Sequence, residues 1–209
     1  MIPSEPMPSS SIATVLSLLA DLVRINSVNP AYDGGKPESE MVNYLQQYFL
    51  VHSIETWQHD AFPGRPNLIA RLPGRDTSRR LIFEAHTDTV TVGGMTIPPF
   101  DPVISDGRLY GRGSCDTKGG LAAMAHAAVS LKRDGIVPPC DIWVVAAADE
   151  EFSFGGVRRL LEDLQATAAV ISEPTQMRVA VASKGVVRWR IQCRGKAAHS
   201  SKPHTGINA

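Results

Sequence analysis

The chain has 209 residues, enough for one domain, or one domain and part of a second. Apolar residues make up 43% and charged residues 20%, as is ordinary for a soluble globular protein. Lys plus Arg and Asp plus Glu balance at 21 each, so no positive excess points to nucleic acid or to an anionic membrane, and neither is expected as a partner.

Residues 1–10 are rich in Pro and Ser and lack the basic and apolar stretches of a secretory signal. No apolar run approaches the roughly 20 residues that span a bilayer. The three cysteines, Cys115, Cys140 and Cys193, are odd in number, widely spaced and without a CxxC pair. They form no disulfide framework, and a reducing cytoplasm is the expected compartment.

In chain order, residues 11–25 place Ile12, Val15, Leu16, Leu19, Leu22 and Val23 at helical spacing, with Ser10 or Ser11 as N-cap. A turn at Asp33, Gly34 and Gly35 follows. A second helix after Ser39 carries Met41, Val42, Leu45 and Phe49 on one face. Residues 67–72 and 81–85 read as short apolar strands, with Gly74 and the charged stretch to Arg80 as the turn between them. The Pro- and Gly-rich residues 91–110 read as a long loop, and loops of that length are usually functional. Residues 119–133 are Ala-rich and helical; 142–147 and 169–171 are further buried strands. This alternation predicts an α/β fold, a sheet covered by helices on both sides, with sites at the carboxyl ends of its strands. Residues 186–193 then alternate as a half-exposed strand, with Val187, Trp189 and Ile191 on one face and Arg188, Arg190 and Gln192 on the other. A lone terminal strand cannot bury its apolar face, so a second domain is expected to begin there and to be cut short.

Five segments can carry chemistry. Glu84 to Asp88 ends an apolar strand; residues i and i+2 face the same way, so Asp88 is expected to hydrogen-bond one nitrogen of His86 and leave the other for a metal. The glycine-rich residues 111–120 open a helix and invite a phosphate-binding reading, but Thr117-Lys118 runs opposite to the order a P-loop needs. Asp116 there suits a bridging carboxylate, its ionised form favoured by the helix dipole. Asp149, Glu150 and Glu151 follow a buried strand, where their mutual repulsion is tolerated best beside a cation. Glu173 closes another apolar strand, and His199, with His204 nearby, lies near the end of the chain. Taken singly, each segment also fits a solvated pair, a capped helix start or an acidic turn. Their common place at strand ends and helix starts points to a carboxylate–imidazole site for Zn²⁺, with Mn²⁺ or Co²⁺ as alternatives.

Together these segments resemble the M20 metallopeptidase family. The matching pieces are AHTDTV at 85–90, LYGRGSCDTKGG at 109–120, DEE at 149–151, SEP at 172–174, and GKAAH at 195–199 with GINA at 206–209. The resemblance runs from about residue 12 to the last residue. It implies a zinc-peptidase-like catalytic domain over 1–182 and the start of an α+β lid, or dimerisation, domain over 183–209. It further implies two zinc ions: His86 and Glu173 on one, Glu151 on the other and Asp116 bridging. Asp88 would orient His86, Glu150 would serve as general base and acid, and His199 would stabilise the oxyanion from the lid. Asn208 matches a lid asparagine near the substrate. The implied activity is hydrolysis of a linear amide in an N-acyl amino acid or short peptide, leaning toward acetylornithine deacetylase-like enzymes, in a homodimer. The family's second metal also takes a histidine from a C-terminal segment with no counterpart here, so the chain is expected to be a fragment that binds metal weakly and turns over little. A non-catalytic module that keeps the fold is the alternative.

Overall fold

The structure, a computed structural model, describes residues 15–187 and 189–209. It divides into two compact units, Met1–Pro174 and Thr175–Ala209. The first carries helices α1 (Val15–Arg24), α2 (Ser39–Val51), α3 (Lys118–Arg133) and α4 (Gly155–Asp163). Its strands are β1 (Glu55–Phe62), β2 (Arg65–Leu72), β3 (Asp76–His86), β4 (Val103–Ser105), β5 (Arg108–Tyr110), β6 (Cys140–Ala147) and β7 (Ala168–Ile171). Five strands form one mixed sheet in the order β1-β2-β6-β3-β7. Strands β6, β3 and β7 are parallel, whereas β1 and β2 run antiparallel to their neighbours.

The two-residue period of the strands divides the core into two layers. On one face, Leu68 and Ala70 of β2, Ala85 of β3 and Val144 and Ala146 of β6 pack under Leu18, Leu22, Met41, Leu45, Phe49, Leu121 and Ala125 of α1, α2 and α3. On the other, Ile69, Ile82, Trp143, Val145 and Ala147 pack under Leu160 and Leu164, at the end of α4. Each large aliphatic side chain buried this way contributes about 1.5–3 kcal/mol. The sheet is therefore covered on both faces, as the α/β pattern predicts. In the parallel register His86 lies opposite Ala147, and Glu84 lies opposite Ile171. The three carboxyl ends thus open side by side, and the residues just beyond them meet.

Several elements differ from the sequence expectation. In α1 the buried residues are Leu18, Leu22 and Val23, while Val15 and Leu16, expected on the same face, are exposed. Ser10, Ser11 and Ile12 lie outside the described residues, as does Arg188. Strand β1 reads as polar because it is an edge strand, paired on one side only and nowhere fully buried. Residues 76–80 begin β3 rather than belonging to the turn; Asp76 pairs with Cys140 and Arg80 with Asp141 across a bulge. Inside the 91–110 loop, β4 and β5 form a short hairpin turning at Asp106 and Gly107, both at positive φ (52° and 73°), as an Asp-Gly hairpin turn requires. Helix α4 was hidden by its charge, since only Gly156 and Leu160 are buried in it.

In the second unit the described residues of 186–193 form no strand, and Val187, Trp189 and Ile191 are exposed. A strand without a partner has no hydrogen-bond ladder, so its alternation alone does not make one. This unit holds a bridge between Lys196 and Ile207 and a short 3-10 turn, Pro203–Thr205. Among the described residues no helix is long and apolar enough to cross a membrane.

Candidate metal centre

His86, the last residue of β3, is buried, and its Nε2 faces acids from three other segments. It lies 3.1 Å from Asp116 Oδ1 at the start of α3, 3.6 Å from Glu173 Oε1 after β7, and 3.9 Å from Glu150 Oε2 after β6. Ligand atoms of His86, Asp116 and Glu151 all lie within 4.8 Å of one another. Four carboxylates so gather around one imidazole, each carried to the spot by the end of a strand or the beginning of a helix.

The charges of this cluster call for a cation. Burial pushes the Glu151 carboxyl up to about 7, and its acidic neighbours Asp116, Glu150 and Asp88 add to this although His86 opposes it. Burial raises Glu173 for the same reason. Burial alone would lower His86, yet hydrogen bonds to Asp116 and Asp88 outweigh it and hold the imidazole up at about 11. Asp116 is held low, first by its hydrogen bond to His86. A proton on His86 thus supplies the positive charge that the acids require. A divalent ion supplies more, and an imidazole with three or four carboxylates is a donor set that suits Zn²⁺. The residues present fit such an ion.

His86 Nδ1 lies 2.9 Å from the main-chain carbonyl of Asp88 and 3.6 Å from its carboxylate. A carbonyl only accepts, so Nδ1 donates and Nε2 is left to face the acids. The expected partner of Nδ1 was the Asp88 side chain; the main chain of the same residue is nearer. The Asp88 carboxylate, fully buried, instead accepts the N–H groups of Glu150 at 3.0 Å and Glu151 at 3.1 Å. Asn29 Nδ2 donates both to Asp88, at 2.7 Å, and to Asp149, at 2.9 Å. Asp149 points away from the cluster: Arg65 donates to it at 2.8 Å and to buried Glu38 through two nitrogens at 2.6 and 2.7 Å. The Tyr32 hydroxyl donates to the Glu151 carbonyl at 2.9 Å. Asn29, Tyr32, Glu38 and Arg65 escaped the sequence reading, because no local spacing joins them to acids as many as 120 residues away.

The 111–120 loop cannot cradle a phosphate with its lysine. Lys118 is fully buried, and its Nζ donates to the carbonyls of Leu22 at 3.0 Å and Ile25 at 2.8 Å. Burial draws this amine down to about 7. In the second unit His199 is exposed, with Nδ1 2.8 Å from the Ser201 hydroxyl, and Asn208 is exposed as well. His59, with no part assigned in the site, pairs with Asp163 at 3.3 Å.

The chain is similar to known proteins over most of its length. Residues 82–205 match the peptidase family M20/M25/M40. A "Probable succinyl-diaminopimelate desuccinylase" of Staphylococcus epidermidis is 34% identical over 202 residues, which is 93% of this chain and 47% of that protein. An "Uncharacterized metallohydrolase" of Methanocaldococcus jannaschii is 30% identical over 95% of this chain and 54% of its own length. Among solved structures, aminopeptidase PepT of Bacillus cereus superposes with a TM-score of 0.62 at 26% identity, over 92% of this chain and 52% of that one. The chain spans about half the length of the curated relatives it matches.

Proposed function

Because the chain belongs to peptidase family M20/M25/M40, we propose that it supplies the metal-binding machinery of a hydrolase of linear amide bonds in N-acyl amino acids or short peptides. The observation that carries this reading is the convergence of His86, Asp116 and Glu151 to within 4.8 Å, with Glu173 at 3.6 Å from His86. His86 and Glu173 would hold one zinc ion and Glu151 a second, with Asp116 between them; Co²⁺ and Mn²⁺ suit the same donors. Ions so held lower the pKa of water and polarise the scissile carbonyl.

The chain's own groups do the rest. Glu150 sits 3.9 Å from His86 Nε2, at the rim of the cluster, where a carboxylate can take the proton of the attacking water and return it to the leaving amine. Asp88 holds the backbone of that glutamate in place. His199 would stabilise the developing oxyanion from a lid that begins near residue 183, in a homodimer. A desuccinylase and an aminopeptidase among the similar proteins support an acyl–nitrogen bond as the target, and an acetylornithine deacetylase-like substrate is one member of that class.

The test is zinc stoichiometry of the purified 209-residue chain by elemental analysis after dialysis against trace zinc, beside Asp116→Asn. Bound zinc that the substitution removes is the expected result and justifies a screen of N-acetyl, N-succinyl and dipeptide amides. Zinc that stays on the chain after Asp116→Asn overturns the placing of the metal at this cluster.

A further inference from the structure

Asp116 reaches His86 from a side chain that is 53% exposed. Among the described residues its one hydrogen bond is to that histidine. Its position is therefore set by the main chain of the loop that carries it, and what holds this loop is two residues away. Lys118 has no exposed surface, and its Nζ donates to the Leu22 and Ile25 carbonyls at the C-terminal end of α1. Leu22 is in the last turn of α1 and Ile25 just past it, where carbonyls lack the N–H four residues on; the Leu22 carbonyl also accepts the Ile25 N–H at 3.3 Å. The loop is folded around the lysine stem: Lys118 N–H donates to the Gly113 carbonyl at 3.0 Å, and Gly113 sits at φ +79°. A Cβ at Gly113 would stand 2.8 Å from Thr89 Cγ2 and 3.0 Å from Lys118 Cδ, so the backbone passes directly over the stem. On the other side the Thr117 hydroxyl donates to the Ser172 carbonyl, next to Glu173.

We infer that Lys118 is a positioning residue of the metal centre: by tying the Asp116 loop to the end of α1, it sets the Asp116 carboxylate at its 3.1 Å contact with His86. The inference rests on the reading of this cluster as a metal site. It also explains why a lysine is spent in a core position where an apolar side chain would be cheaper to desolvate.

The experiment compares wild type, Lys118→Met and Leu18→Ala in the 209-residue chain. Methionine keeps an unbranched stem and removes the donors. Leu18→Ala weakens α1 packing without touching Lys118. Zinc affinity is measured by calorimetry at a temperature where all three are folded by circular dichroism. In parallel, the zinc-free proteins are compared by the ¹⁵N resonances of the His86 imidazole, which report its hydrogen bond to Asp116. Lys118→Met is expected to weaken zinc by about 10- to 100-fold, the scale for loss of an outer partner of a metal ligand, and to shift the His86 signals. Leu18→Ala is expected to leave both unchanged. Wild-type affinity in Lys118→Met, or an equal loss in Leu18→Ala, overturns the inference. If wild type binds no zinc, the His86 resonances alone decide the role of Lys118; unchanged resonances in Lys118→Met dismiss it. Should Lys118→Met not fold, Gly113→Ala, which presses on the stem from the loop side, takes its place, and undiminished zinc affinity there counts against the inference.

Discussion

The carboxylate of Asp88 accepts the main-chain N–H of Glu150 at 3.0 Å, and its other oxygen accepts that of Glu151 at 3.1 Å. One buried side chain thus sets the course of the segment bearing a proposed base and a proposed ligand, while the main-chain carbonyl of the same residue accepts the Nδ1–H of His86. Asp88→Asn replaces one of the two accepting oxygens by an NH₂ group and turns it against either a backbone N–H or the Asn29 amide. Zinc affinity is expected to fall by about 10- to 100-fold. Calorimetric titration checks this, and an unchanged affinity would mean that the acidic segment holds its course without Asp88.

Arg65 joins two acids that have almost no access to water, Glu38 (0% side-chain exposure) and Asp149 (2%). Arg65→Met leaves both buried and unpaired, which costs about 3–5 kcal/mol. Urea unfolding should show a loss on that scale. A loss below about 1 kcal/mol would indicate that Asn29 and Ser153 suffice to hold Asp149.

How much of this could be read from the sequence depends on range. His86, Asp116, Glu151 and Glu173 each follow an apolar strand or open an Ala-rich helix, so local pattern alone put them at the sheet's carboxyl edge. Of the three adjacent acids at 149–151, the sequence reading gives roles to Glu150 and Glu151 but none to Asp149. Asp149 has φ +65° and turns to Arg65, a partner 84 residues away. No periodicity reports such a pairing. Likewise β1 and α4 lie at the margin of the sheet, where burial is partial and the hydrophobic signal weak. The resemblance to the M20 family rested on the order of five motifs, and the match over residues 82–205 spans most of them.

Asp141 couples stability to pH far from the cluster. Burial would raise its carboxyl, but the Gly74 N–H at 2.9 Å and the Arg71 guanidinium at 2.8 Å hold it below the usual carboxylate range. A group whose folded pKa is depressed stabilises the fold above its unfolded pKa, about 3.9, and that stability is lost as pH falls through the lower folded value. Urea unfolding between about pH 5 and pH 2 should therefore show a smaller acid-induced loss in Asp141→Asn than in wild type, with the variant already weaker at pH 5. Parallel pH profiles would show that Asp141 titrates alike in both states.

Glu150 separates chemistry from metal binding. Its carboxylate lies 3.9 Å from His86 Nε2, farther than those of Asp116 and Glu173, and its main chain is fixed by Asp88. Glu150→Gln keeps the shape and the backbone contact but cannot accept a proton from water. Measured in the catalytically active protein, turnover of an N-acyl amino acid is expected to fall by about 10²- to 10⁴-fold, the usual share of general acid–base catalysis, with zinc content unchanged. Elemental analysis and initial rates on the same preparation distinguish the outcomes. If zinc is lost along with activity, Glu150 acts as a ligand, whereas retained turnover would assign the proton transfer to another group of the cluster, with Glu151, raised to about 7, next in line.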